Sequence, residues 1–160
     1  MPSVDREAFV TRYGGVFERS PWVAEAAWEE GPFADTAALH AAMTAAVAGA
    51  PRAQRLALIR AHPELADRAA IAGEHGAASA GEQTAAGLDR LTPSQHARLT
   101  LLTAGYRERF GFPFVICARE HTPDSIIDAV TERLRHSPAQ EEEIALAEIA
   151  KIAKLRLEDL

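Results

Sequence analysis

Along most of the chain apolar residues recur at spacings of three and four, the period of a helix, and strict alternation is scarce. Leu39, Met43 and Val47 stand four apart behind Asp35, a residue suited to cap a helix start, and Gly49 and Pro51 end that run. Pro51 opens a further helix in which Leu56 and Ile59 share a face. Ser79 with Glu82, Thr92 with Gln95 and Ser137 with Gln140 each have the form of a capping box. In that motif a hydroxyl accepts from the third helical amide while the Glu or Gln reaches back. Pro93 and Pro138 sit just inside the last two boxes, and Thr122-Pro123 starts another helix in the same manner. One stretch departs from the helical period: Phe112-Pro113-Phe114-Val115-Ile116-Cys117 reads as short, apolar and extended, with Pro113 lacking an amide donor. Gly73 to Ala80 is a loose connection of small residues. The pattern predicts an all-α protein, a single compact bundle-like domain over 1–160 with about eight helices and one short extended apolar segment.

Composition strengthens this reading and narrows the function. Alanine occupies 34 of the 160 positions, which favours helix because alanine loses no side-chain entropy there. Seventeen basic against 23 acidic residues leave a net charge of −6, which argues against a nucleic-acid partner. Cys117 is the only cysteine, so neither an internal disulfide nor a thiolate zinc site is expected. No apolar run approaches the roughly 18 residues of a membrane span, so no membrane partner is expected either. The start, Met1-Pro2-Ser3-Val4-Asp5, is too polar for a secretory signal, and the ending Leu157-Glu158-Asp159-Leu160 is no peroxisomal address. The expectation is a cytoplasmic protein.

Several residues are not needed to make helices. His62 precedes Pro63, and a residue before proline is pushed out of the α region. A helix should therefore break at His62 and another start at Pro63, placing the imidazole at a helix N-terminus that disfavours its charged form. Such a group serves either as a general acid or base near neutral pH or as a hydrogen-bonded structural histidine. Ser79 and Glu82 read as a cap, yet Gln83 beside them adds a polar group next to free amides that suit an anion or polar ligand. In the last helix Ala145, Ile149, Ile152 and Arg156 follow spacings of four, three and four, so Arg156 lies on an isoleucine stripe. An arginine there must be paired, snorkel to water, or clamp a carboxylate or planar urea-like group. The amides of the Phe110 to Ala118 stretch need partners that an all-α neighbourhood does not readily supply, and a ligand oxygen is one candidate. Cys117 itself reads as an inert buried thiol. His40, His75, His96, His121 and His136 show no metal spacing, and no phosphate loop, nucleophile elbow or Schiff-base lysine is present. No metal or cofactor is expected.

Taken in order, these segments resemble the decarboxylases of 2-oxo-4-hydroxy-4-carboxy-5-ureidoimidazoline (OHCU), which act in urate breakdown. The resemblance rests on Arg60-Ala61-His62-Pro63-Glu64-Leu65-Ala66, Ser79-Ala80-Gly81-Glu82-Gln83 and Gly87-Leu88-Asp89-Arg90-Leu91. It continues in Tyr106-Arg107-Glu108-Arg109-Phe110-Gly111-Phe112-Pro113-Phe114-Val115 and in the run from Glu148 to Leu157. The opening Phe17-Glu18-Arg19-Ser20-Pro21-Trp22-Val23 is similar too. The resemblance implies an all-α, cofactor-free homodimer that converts OHCU, its small-molecule substrate, to (S)-allantoin with loss of carbon dioxide. It implies His62 as acid/base catalyst and Glu82 as its carboxylate partner. Ser79, Gln83 and Arg156 would hold the polar edges of the substrate, Pro63 would line the pocket, and Phe114, Val115, Ile116, Cys117 and Ala118 would supply backbone amides. Two positions depart from the family: Thr103 stands where Asn is usual, and Glu64 where Asp is frequent. Thr103 and the altered, alanine-rich connection before Ser79 leave a second reading, a decarboxylase of a related ureido or hydroxy acid. The outliers taken as caps and core leave a third, a catalytically silent helical interaction module.

Overall fold

Short polar side chains set the helix starts. Asp5 accepts from the Ala8 amide at 2.7 Å and begins α1 (Arg6–Tyr13). After α2 (Trp22–Trp28), Asp35 accepts from the Ala38 amide at 2.8 Å and begins α3 (Thr36–Ala48). Pro51 precedes α4 (Arg52–Ala61), and the chain leaves the helix at His62, as a residue before proline should. Thr92 and Gln95 form a complete capping box at the head of α5 (Pro93–Phe110). Thr122 does the same for α6 (Pro123–Arg133), with Ser125 as the unforeseen second member of its box. At α7 (Pro138–Glu158) Ser137 and Gln140 exchange bonds of 3.2 and 2.9 Å. The computed structural model describes residues 5–63, 65 and 91–160. Among them are seven α-helices, one 3-10 turn at Ala118–Glu120 and no strand, in keeping with the all-α class that the pattern predicts. The capping box at Ser79 and the loose connection before it lie outside the described residues.

The chain divides into two compact units, Met1–Ala61 with Ile149–Leu160, and His62–Glu148. In the first, α2 packs on α1 and on α3 around Phe9, Val23, Ala27, Leu39 and Met43, all buried. The Phe9 ring meets Tyr13, Trp28 and Phe33 at centroid distances of 4.9 to 6.3 Å. In α4 it is Leu58 and Ile59 that are buried, while Leu56 is only partly covered. The last turns of α7 are tied into this unit by His40, whose Nε2 lies 2.8 Å from the Ala150 carbonyl. In the second unit α5 packs on α6. Gly111, at φ 78°, turns the chain sharply out of α5, a conformation that glycine adopts without a Cβ clash. The following residues, Phe112 to Cys117, run non-helical, and all of Phe112 to Ala118 are buried. Tyr106 anchors them: its ring lies 4.6, 5.9 and 5.3 Å from those of Phe110, Phe112 and Phe114. None of the described helices is long and apolar enough to cross a membrane.

Candidate functional site

The break at the end of α4 places His62 in a bend, 7% exposed, with Pro63 partly covered beside it. Both belong to the second unit, together with the buried Phe114–Ala118 segment. Arg156 belongs to the first unit. Its stripe is as the spacing predicts, since Ala145, Ile149, Ile152 and Arg156 are all buried. The guanidinium does not snorkel. Nη1 pairs with Glu18 Oε2 at 2.9 Å and also donates to the Val16 carbonyl at 3.3 Å, both partners being on the segment after α1. Glu18 thus fixes the direction of the fork, which a carboxylate does better for arginine than for lysine. Ser79, Glu82 and Gln83 lie outside the described residues.

Within the Phe114–Ala118 segment the backbone finds partners that the sequence pattern does not foresee. Arg133 Nη1 donates to the Val115 carbonyl at 2.7 Å, and the Cys117 amide donates to Glu148 Oε1 at 3.2 Å. Helix side chains therefore take over part of the work that a neighbouring strand would do, and for the Cys117 amide the partner is Glu148 rather than the ligand oxygen offered as one candidate. Arg133 is 6% exposed and lies over the Phe114 ring at 4.3 Å. Its Nε donates to Glu141 Oε1 at 2.7 Å. Glu141 is fully buried and also accepts from the Tyr106 hydroxyl at 2.6 Å, while His136 Nδ1 lies 2.8 Å from its other oxygen. Burial, then the hydrogen bond to Glu141, push the Tyr106 phenol well above its ordinary range, so it stays protonated and donates. Thr103 is buried and donates back to the Leu99 carbonyl of its own helix at 2.9 Å. Cys117 is buried, as expected of an inert thiol.

Among the described residues, one group brings three possible metal ligands together: Glu120, His121 and Glu148, with ligand atoms within 4.8 Å of one another. Two of the three have structural work. Glu148 holds the Cys117 amide, and His121 Nδ1 lies 3.0 Å from Ser125 Oγ at the start of α6.

The sequence profile of the OHCU decarboxylase family matches residues 2–158. The chain belongs to that family. It is 44% identical over 158 residues to the 2-oxo-4-hydroxy-4-carboxy-5-ureidoimidazoline decarboxylase of Amia calva, covering 99% of this chain and 90% of that protein. Its fold matches the crystal structure of an OHCU decarboxylase in the presence of (S)-allantoin, with TM-score 0.74, 25% identity, and coverage of 98% of this chain and 97% of that one. It also matches the crystal structure of an (S)-allantoin synthase with TM-score 0.78 and 29% identity, covering 98% of this chain but 50% of that one.

Sequence reasoning about this OHCU decarboxylase family member missed Glu18, Arg133, Glu141 and Glu148, although all but the first left a signal. The stripe that exposes Arg156 continues backwards: four residues before Ala145 stands Glu141, and Glu148 precedes Ile149 on the same side. Arg133 stands three residues after the buried Val130. Each is a charge on an apolar face, the same anomaly that singles out Arg156. Glu18 lies in a non-helical segment with no periodicity to read.

Proposed function

We propose that this chain, read as one domain over 1–160, catalyses the cofactor-independent decarboxylation of OHCU to (S)-allantoin, the step that completes urate conversion to allantoin. The observation that carries this reading is the family match over nearly the whole chain, joined by a fold match to a decarboxylase crystallised in the presence of (S)-allantoin. In the reaction the bond between the ring carbon and its carboxylate breaks and carbon dioxide departs. The electron pair passes into the conjugated imine and carbonyl of the substrate itself, and one proton is returned to that carbon on a single face. The protein positions the substrate, places charge and delivers that proton.

His62 is the acid/base catalyst in this reading. Its burial at a helix break supports the assignment, because a side chain shielded from bulk water is held in one orientation. Glu82 is its carboxylate partner. Ser79, Gln83 and Arg156 hold the polar edges of the substrate, Pro63 lines the pocket, and the Phe114, Val115, Ile116 and Ala118 backbone offers amides, the Cys117 amide being held by Glu148. For Arg156 the support is its buried, carboxylate-oriented fork, which matches a planar ureido or carboxylate group. The protein works as a cytoplasmic homodimer, and light scattering at micromolar concentration should return twice the mass of the chain. The deciding experiment supplies freshly generated OHCU and follows ultraviolet decay and circular dichroism. Formation of (S)-allantoin faster and more stereoselectively than without protein is expected. Equal rates and a racemic product would overturn the reading.

A further inference from the structure

The Phe114–Ala118 segment has no sheet neighbour among the described residues, so the direction of its backbone groups is set by other means. Arg133, on α6, holds the Val115 carbonyl, and Glu148, on α7, holds the Cys117 amide. These two groups lie two residues apart, and Cys117 has extended backbone angles. In extended chain successive residues face opposite sides, so groups two apart point the same way. The Ile116 amide shares a trans peptide plane with the Val115 carbonyl and therefore points away from the side on which Arg133 holds that carbonyl.

Arg133 and Glu148 are 6% and 8% exposed. Packing alone does not account for charges at such positions, since apolar side chains of similar size fill a core at lower desolvation cost. Both charged ends converge on the backbone on either side of one residue. Arg133 is itself braced by Glu141 and by the Phe114 ring, so the arm that reaches Val115 has little freedom.

We propose that Arg133 and Glu148 are positioning residues of the decarboxylation: by gripping the Val115 carbonyl and the Cys117 amide they fix the rotation of the intervening backbone, so that the Ile116 amide is presented to the substrate. This rests on the reading of that segment as an amide donor in the proposed reaction. A small misplacement of a substrate-holding group lowers rate steeply without unfolding anything.

The test compares Glu148→Gln, which keeps an acceptor oxygen for the Cys117 amide, with Glu148→Leu, which does not. Arg133→Lys and Arg133→Met form the parallel pair, with kcat and KM for OHCU measured separately and helicity and melting followed for each. Glu148→Gln should stay within about threefold of wild type, while Glu148→Leu should lose at least about tenfold in kcat/KM at wild-type helicity. Arg133→Lys, with one ammonium in place of a fork that reaches Glu141, Val115 and Tyr106, should fall between wild type and Arg133→Met. If Arg133→Met does not fold, the Glu148 pair decides. An active wild type whose Glu148→Leu variant keeps wild-type kcat and KM overturns the positioning role alone, as does equal loss in the Gln and Leu variants. A wild type inert toward OHCU overturns the functional reading and the positioning role with it.

Discussion

Glu141 offers the sharpest test of how the second unit is held together. It is fully buried, and it accepts from the Tyr106 hydroxyl at 2.6 Å and from Arg133 Nε at 2.7 Å, with His136 Nδ1 at 2.8 Å. Glu141→Leu leaves Arg133 buried without its counter-charge and the Tyr106 hydroxyl without its acceptor. Removing one partner of a buried ion pair costs about 3–5 kcal/mol, because the remaining charge is left uncompensated. For a protein of this size that is a fall in Tm of roughly 6–20 °C, and a large share of a total stability near 5–15 kcal/mol. The double variant Glu141→Leu with Arg133→Met removes both charges, so its loss should be smaller than the sum of the two single losses. Urea denaturation followed by far-ultraviolet circular dichroism measures all three. A single Glu141→Leu loss below about 1 kcal/mol, or strict additivity in the double variant, would refute the argument that the pair is coupled and buried.

Four further outcomes are expected. His62→Ala should lower OHCU turnover by orders of magnitude at wild-type helicity, and a full rate in stopped assays would remove it from the mechanism. Arg156→Lys keeps the charge but loses the fork aligned by Glu18, so kcat/KM should fall at least about tenfold with little change in melting. Gly111→Ala places a Cβ at φ 78°, which should destabilise by roughly 1–2 kcal/mol in urea melts. The raised Tyr106 pKa gives a signed pH dependence. Above the ordinary tyrosine value of about 10 the unfolded chain has lost a proton that the folded chain retains, so stability is complete below that pH and falls as pH rises above it. The slope should approach about 1.4 kcal/mol per pH unit and should be absent in Tyr106→Phe.

Much of the architecture follows from local chemistry. Asp35, Thr92 and Ser137 cap the helices they should, because a cap is satisfied by amides only two or three residues away. His62 leaves the helix because Pro63 follows it, and Gly111 and Pro113 end α5. The candidate site was legible only as a set of exceptions, among them a histidine before proline and an arginine on an isoleucine stripe.

What those exceptions do is a matter of partners distant in the chain. That Arg156 is paired with Glu18 rather than reaching water, that Arg133 and Glu148 grip the backbone of Val115 and Cys117, and that Glu141 gathers Tyr106, Arg133 and His136 are decisions of the tertiary structure. Periodicity reports which face a side chain occupies, and so the sequence by itself determined the helices and marked the misplaced charges. It carries no information on which opposite charge the fold brings to that face. A buried charge is tolerated only where such a partner arrives, and that arrival depends on packing between segments far apart in the chain.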